Sequence, residues 1–358
     1  MKIAGQRTRS VWKSEAGHIQ VFDQRKLPFA VEIFTLSSCA DAEFAISEMV
    51  VRGAPLIGIT AAFGLALQAQ EDPSWEALQA AAIRLKQTRP TAVNLAWAVD
   101  MMCAHLSKCS IGSRAVIAFD MAWKLLDDDV GVNERIGQHG LEIIRSIAAR
   151  KGRCHILTHC NAGWLATGDW GTALAPIYMA HDEGLPLHVY ADETRPRSQG
   201  SLLTAFELRE HGVPVEIIVD NAGGHLMQKN LVDLVIVGTD RVAANGDVAN
   251  KIGTYLKALA AFDNGIPFYV ACPMSTVDYQ IQDGCSDIPI EDRGPFEVLN
   301  TPVAGPEGTN WMPSAPPGVG ACNPGFDVTP ARLVTGIITE HGIVSASEAG
   351  LAPFNQQS

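Results

Sequence analysis

The sequence predicts an α/β protein in two parts: a small, mainly helical domain over residues 1–130 and a parallel-sheet domain over residues 131–358. Three observations carry this. Apolar residues recur at helical spacing through most of the first part. In the second part, short apolar runs at 156–158, 187–190, 215–219, 234–237 and 268–270 alternate with helical segments such as 201–211. That β-α-β alternation calls for a parallel sheet with right-handed crossovers. Dense polar loops follow these runs, at the carboxyl ends of strands, where open α/β sheets bind ligands.

In order along the chain, residues 1–35 mix short apolar runs with charge and read as one or two β-hairpins, with Pro28 confining its run to an edge. Helices are expected over 40–49, over an apolar segment after the turn at 52–55, and over 77–87, 92–105, 115–128 and 134–150. Pro55 suits the first turn of its helix, and that helix is apolar nearly all round, hence buried. Residues 88–91 break the chain between two of these helices. In the second part, 234–237 is an apolar run too short for a helix and fits a strand buried on both faces. A polar loop with Asp240, Arg241, Asn245, Asp247 and Asn250 follows, and a helix is expected from Asn250 or Lys251. Residues 302–325, rich in Pro and Gly, read as a long irregular loop of the lid or binding kind. Thr329 and Pro330 then read as N-cap and first residue of a helix.

Composition narrows the function classes. The chain has 358 residues, 47% hydrophobic and 18% charged, which suits well-buried cores. A net charge of −12 argues against a general nucleic-acid binder, which needs basic surface. Eight cysteines without regular spacing do not form a disulfide framework. No leading segment reads as a signal peptide and no apolar run is long enough to span a bilayer, so no membrane partner is expected. The expectation is a soluble protein of a reducing compartment, the cytoplasm.

Four loops hold the candidate chemistry. Cys160 follows the 156–158 run; between a strand end and a helix N-terminus its thiol pKa would fall, and otherwise it is a small buried hydrophobe. Cys154, His155, His159 and Cys160 match no common zinc spacing, and strand alternation splits the two histidines from the two cysteines, so no metal is expected. The loop at 192–200, with Arg195, Arg197 and Gln199, is dense in donors or is a solvated turn. Gly223-Gly224 exposes backbone N–H groups to an anion or is ordinary turn chemistry. Asp240 is an acid or a capping residue. Lys251 at the head of a helix opposes the dipole unless an anion is near. In the first part, Arg52 before Gly53-Ala54 and Arg89 in a turn are suited to bidentate phosphate contacts. There is no Walker loop and no GxGxxG after a strand. Together these residues suit acid–base chemistry on a small phosphorylated molecule.

The segments VRGAPLIGITAAFGLAL, TRPTAVNLAWAVD, ILTHCNAGWLAT, ETRPRSQGSLLTAFEL, VDLVIVGTDRVAANGDVANKIGTYLKALA, IPIEDR and NPGFDVTPARLVTGIITE resemble, in order, the methylthioribose-1-phosphate isomerase family of methionine salvage. The resemblance implies a Rossmann-like second domain, a homodimer, and an aldose–ketose isomerase of a 5-substituted pentose 1-phosphate, with no cofactor. It implies Asp240 as general acid/base and Cys160 as stabiliser or proton carrier. Substrate contacts are implied at Arg52, Gly53, Ala54, Arg89, Gln199, Asn250 and Lys251. Trp164, Trp170, Tyr190 and Trp311 are expected to wall the methylthio group. Gly223-Gly224, Thr239 and Gly325 depart from the family pattern and leave the catalytic positions intact. Related readings are isomerases of 5-deoxyribose 1-phosphate or ribose 1,5-bisphosphate. The regulatory subunits of the translation initiation factor that exchanges guanine nucleotides share the fold as non-catalytic binding modules.

Overall fold

The computed structural model describes residues 1–90, 92–305 and 308–355. Thr91 of the expected 88–91 break and residues 306–307 of the expected long loop lie outside the described residues.

The first part opens with a small hairpin, Lys2–Ile3 with Gln6–Arg7, and a three-stranded antiparallel sheet of Val11–Lys13, Ile19–Phe22 and Ile33–Leu36. Pro28 sits in the turn before the last strand, not on an edge strand. Five helices follow: Cys39–Ser47, Ala54–Glu71, Trp75–Thr88, Val93–Leu106 and Arg114–Lys151. Ser38 and Asp41 close the first with a reciprocal capping box. Ala54–Glu71 is the central one and packs against Cys39–Ser47, Val93–Leu106 and Arg114–Lys151. Its Leu56, Phe63 and Leu65 are fully buried, each contributing about 1.5–3 kcal/mol of transfer free energy.

Arg114–Lys151 replaces the two helices expected at 115–128 and 134–150. Gly131 costs a helix only about 1 kcal/mol relative to alanine. Packing on either side outweighs it: Leu125 and Leu126 belong to the first core, Ile136, Leu141 and Ile144 to the second. Residue 130 therefore lies inside a single helix that both cores share.

The second part is built on a seven-stranded sheet. From one edge to the other it runs Gly342–Val344, Gly336–Thr339, Phe268–Ala271, Leu234–Val237, Cys154–Thr158, Leu187–Asp192 and Val215–Ile218. All neighbours are parallel except Gly342–Val344, which pairs antiparallel. All five expected strands are present. Side chains alternate between two cores, Leu234 and Ile236 facing one, Val235 and Val237 the other, so both faces are covered. Cys154–Thr158 is the first strand of this sheet in the chain, and winding goes outward from it in both directions. The reversal between Cys154–Thr158 and Leu234–Val237 opens a crevice at their carboxyl ends.

Four expectations after residue 238 are corrected. The polar loop is a hairpin, Arg241–Ala243 with Val248–Lys251, inside a second sheet completed by Val277–Asp278 and Phe326–Thr329. Asn250 and Lys251 thus end a strand, and the helix starts later, Thr254–Asp263, after Gly253 turns the chain at φ 101°. Much of the expected 302–325 loop pairs as Asn300–Gly305 with Gly308–Pro313. Finally, Thr329 ends the strand Phe326–Thr329, and only a 3₁₀ turn, Ala331–Leu333, follows Pro330. Distant strands supply backbone partners to Arg241–Ala243, Val248–Lys251 and Phe326–Thr329 that local spacing does not reveal, whereas Asn300–Gly305 and Gly308–Pro313 pair locally as their own two-stranded sheet.

Candidate active site

Cys160 lies two residues beyond Cys154–Thr158, and Asp240 three residues beyond Leu234–Val237. Adjacent strands therefore deliver thiol and carboxyl to the crevice between them. Opposite stands the start of helix Ala54–Glu71, entered through Arg52 and Gly53. Arg52, Gly53, Arg89, Cys160, Gln199, Asp240 and Lys251 line one cavity, together with Met49, Arg197, Arg293 and Phe326. Ala54 and Asn250 line an adjoining cavity that also touches Arg52, Gly53, Cys160 and Asp240. The structure thus brings all nine sequence-expected site residues around one cleft. A larger cavity of about 580 Å³ continues past Arg52, Arg197, Gln199 and Arg293 toward Leu27, Leu202 and Trp311.

Local geometry sets each group. Gly53 has φ 94°, and a Cβ there would lie 2.5 Å from Ala166 Cα and Cβ, so no other residue fits without moving backbone. Arg52 reaches across to the loop after Cys154–Thr158, where Nη1 donates to Asn161 Oδ1 and Nη2 to the Asn161 carbonyl at 3.0 Å. Arg89 caps the end of helix Trp75–Thr88; its carbonyl accepts from Ala92 N–H at 3.0 Å, and its guanidinium makes no hydrogen bond among the described residues. Cys160 has φ 66°, held from both sides: its N–H donates to Thr194 Oγ1 at 2.9 Å, and its carbonyl accepts from Thr204 Oγ1 at 2.7 Å. Thr204 comes from a π-helical turn, Gly200–Thr204, a distortion common at functional sites. Gln199 is buried with Oε1 unpartnered. Asn250 donates to Thr254 Oγ1, and Lys251 Nζ donates to the Gly325 carbonyl and sits 4.6 Å from the Phe326 ring centroid.

Electrostatics follow from burial among cations. Burial pushes the Asp240 carboxyl up, while Lys251, Arg89 and Arg52 pull it back. Burial pushes Lys251 down, opposed by Cys160 and Asp240. Arg89 is likewise lowered by burial. The Cys160 thiol is raised by burial, with Arg52 and Lys251 opposing. This corrects the expectation of a thiol acidified by the helix following its own strand: the next α-helix in the chain starts only at Ala175, so the loop carrying Cys160 does not lead directly into an α-helix N-terminus. Cys160 enters as a neutral thiol, a donor.

The structure also removes some candidates and adds others. Gly223-Gly224 lines none of these cavities; Gly223 packs toward Leu157 and Lys257. Trp164 is fully buried in the core, Tyr190 stacks with His155, and Trp170 packs against the core; only Trp311 lines a cavity of the cleft. The aromatic wall fails because composition near a loop does not say which face a ring takes. His159 borders the adjoining cavity, but both its ring nitrogens are taken: Nδ1 lies 2.7 Å from Asp192 Oδ2 and Nε2 donates to the Ile252 carbonyl. Arg197, singled out above as a donor of the 192–200 loop, reaches the cleft, and Arg293 is added; the two share Glu297 at 2.8 and 3.0 Å. Despite burial, that pair holds the Glu297 carboxyl down to about 2. Arg293 belongs to a segment with no strand or long helix to flag it, and only its place in IPIEDR singles it out.

Fold and site together define an α/β protein with a switch-point cleft, where a buried acid and a thiol face several cations: a site for a small anionic molecule. The chain belongs to the initiation factor 2 subunit family, whose model matches residues 50–346. It is 57% identical to a methylthioribose-1-phosphate isomerase of Gluconobacter oxydans, over 98% of this chain and 97% of that protein. With one of Methylorubrum populi it shares 56%, over 98% and 97%. The crystal structure of 5-methylthioribose 1-phosphate isomerase from Pyrococcus horikoshii is similar at TM-score 0.86 and 38% identity, covering 99% of this chain and 97% of that one. That of translation initiation factor eIF-2B, subunit delta, from A. fulgidus gives 0.80 and 38%, covering 95% and 96%.

Proposed function

We propose that the cleft isomerises 5-methylthioribose 1-phosphate to 5-methylthioribulose 1-phosphate, a step of methionine salvage. The observation that carries this reading is the convergence of Asp240 and Cys160, from neighbouring strands, with Arg52 and Arg89 from the helical region. The anomeric carbon of a sugar 1-phosphate is locked in a phosphoester, so ring opening needs acid at the ring oxygen. Asp240, with its pKa raised by burial, supplies that proton and accepts the one released from the 2-hydroxyl. Hydrogen then moves from carbon 2 to carbon 1, with the Cys160 thiol stabilising the charge that develops. Arg52 and Arg89 hold the phosphate, helped by the backbone at Gly53-Ala54 and by Gln199, Asn250 and Lys251.

The 5-substituent is assigned to the apolar part of the larger cavity beyond Arg197, where Leu27, Met49, Leu202 and Trp311 stand beside a cationic rim of Arg25, Lys26, Arg52, Arg197 and Arg293. A soft thioether suits such a lining. The proposed division at residue 130 puts the phosphate-binding arginines in the first domain and the acid in the Rossmann-like second. The homodimer belongs to the same proposal, supported by the exposed Ile217, Val219, Leu256 and Phe262. A cytoplasmic setting is supported by the eight free cysteines. No helix among the described residues is long and apolar enough to cross a membrane.

The similarity to an initiation-factor subunit favours a second reading, a binding module without turnover. Comparing kcat/KM for 5-methylthioribose 1-phosphate, 5-deoxyribose 1-phosphate and ribose 1,5-bisphosphate on the purified protein decides. The methylthio sugar should lead. A preference for the bisphosphate overturns the assignment of the methylthio group to the larger cavity, and no turnover of any of the three supports the binding module.

A further inference from the structure

Glu207 has no place in that chemistry, yet it is fully buried at the edge of the site. A buried carboxyl is costly unless every oxygen is used. Here each one is. Oε1 accepts from Asn161 Nδ2 at 2.7 Å and from Leu165 N–H at 3.3 Å, and Oε2 accepts from the Tyr178 hydroxyl at 2.9 Å. Asn161 Nδ2 also donates to Thr204 Oγ1 at 3.2 Å. Two acceptors on that side dictate which way the Asn161 amide points: nitrogen to Glu207 and Thr204, oxygen to Arg52. The Arg52 guanidinium then donates to Asn161 twice, through Oδ1 and the main-chain carbonyl.

We propose that Asn161, oriented by Glu207, is the positioning residue that holds the Arg52 guanidinium in place for the substrate phosphate. The inference rests on the reading of Arg52 as a phosphate ligand. A free arginine surrenders rotamer entropy when it is immobilised on a ligand. Anchoring two of its five donors on Asn161 settles that cost during folding and leaves the other three for phosphate oxygens. Burial raises the Glu207 carboxyl to about 7, offset by Asn161 and Tyr178. Protonated, it still serves: Oε1 accepts from Asn161 and Leu165, and Oε2–H donates to the Tyr178 oxygen. Glutamine reproduces that same set.

The test measures KM, kcat and competitive inhibition by inorganic phosphate for Arg52→Ala, Asn161→Ala, Asn161→Ser, Glu207→Ala and Glu207→Gln. It adds the double variant Arg52→Ala/Asn161→Ala. Arg52→Ala and Asn161→Ala should each raise KM and the phosphate inhibition constant about tenfold, the effect of losing one charge-assisted contact. The double variant should be no worse than Arg52→Ala, because Asn161 acts through Arg52. Glu207→Ala should follow Asn161→Ala, and Glu207→Gln should restore both constants. A purely structural role would lower the folded fraction and leave KM and phosphate inhibition unchanged. If Arg52→Ala does not weaken phosphate, the phosphate reading of Arg52 is wrong. If Arg52→Ala weakens it while both Asn161 variants do not, or if the double variant is additive, the positioning role alone is overturned.

Discussion

Replacing Gly53 by alanine should damage the site through the backbone. Gly53 adopts φ 94° and ψ 136°, a region that residues with a Cβ rarely enter. Holding alanine there costs about 1–3 kcal/mol. Its new Cβ would lie 2.5 Å from Ala166 Cα and Cβ and still closer to the Ala166 carbonyl, all main-chain or main-chain-bound atoms that no side-chain rotation can move aside. Overpacking of this kind adds about 1–3 kcal/mol. The sum, about 2–6 kcal/mol, is a large share of a domain's stability. Relief requires Gly53 and the turn Trp164–Ala166 to separate, which draws Arg52 away from Asn161. Urea unfolding followed by fluorescence and circular dichroism measures the first effect, and inhibition by inorganic phosphate measures the second. Gly112→Ala, with no atom within 4 Å of the new Cβ, is the control and should match wild type. An unchanged unfolding midpoint together with unchanged phosphate inhibition in Gly53→Ala would refute the geometry.

Three further outcomes are expected. Asp240→Asn should lower kcat on the order of 100-fold or more; because the acid must be protonated, activity falls as pH rises through its pKa, so Glu291→Gln, which removes an anion that raises that pKa, should move the alkaline limb of kcat/KM to lower pH, and Arg89→Met should move it higher. An unmoved limb in both excludes Asp240 as its origin. Glu207 titrates at about 7 in the folded protein against an ordinary 4.5, so its contribution to stability is complete below the unfolded value and is lost as pH rises to about 7; that loss is on the order of 3 kcal/mol. Glu207→Gln should therefore gain in Tm relative to wild type between pH 5 and 8, and a constant difference across that range contradicts the raised pKa. Trp311→Ala should reduce the preference for the 5-methylthio over the 5-deoxy sugar by about 1–3 kcal/mol in the kcat/KM ratio; an unaltered ratio removes Trp311 from the 5-substituent pocket.

Local sequence was sufficient for the elements and for part of the site. The run at 234–237 is a strand because residues buried on both faces must be apolar throughout, a signal contained in four positions, and the run at 156–158 marks the core of the strand Cys154–Thr158. Cys160 and Asp240 were conspicuous for the same reason: they follow such runs, at the ends where α/β sheets place ligands. What only the tertiary structure decided is which polar loops meet. Gly223-Gly224 looked as suitable for an anion as Gly53-Ala54, yet it packs against Lys257 while Arg293, from an irregular segment, enters the cleft. The hairpin at 241–251 exists because Phe326–Thr329 pairs with it, and the single helix Arg114–Lys151 because two cores share it. Arg52 and Asn161 are 109 positions apart, and Asn161 and Glu207 46. Periodicity reports only what a residue's near neighbours bury, whereas charged partners at such separations are chosen when the chain closes on itself.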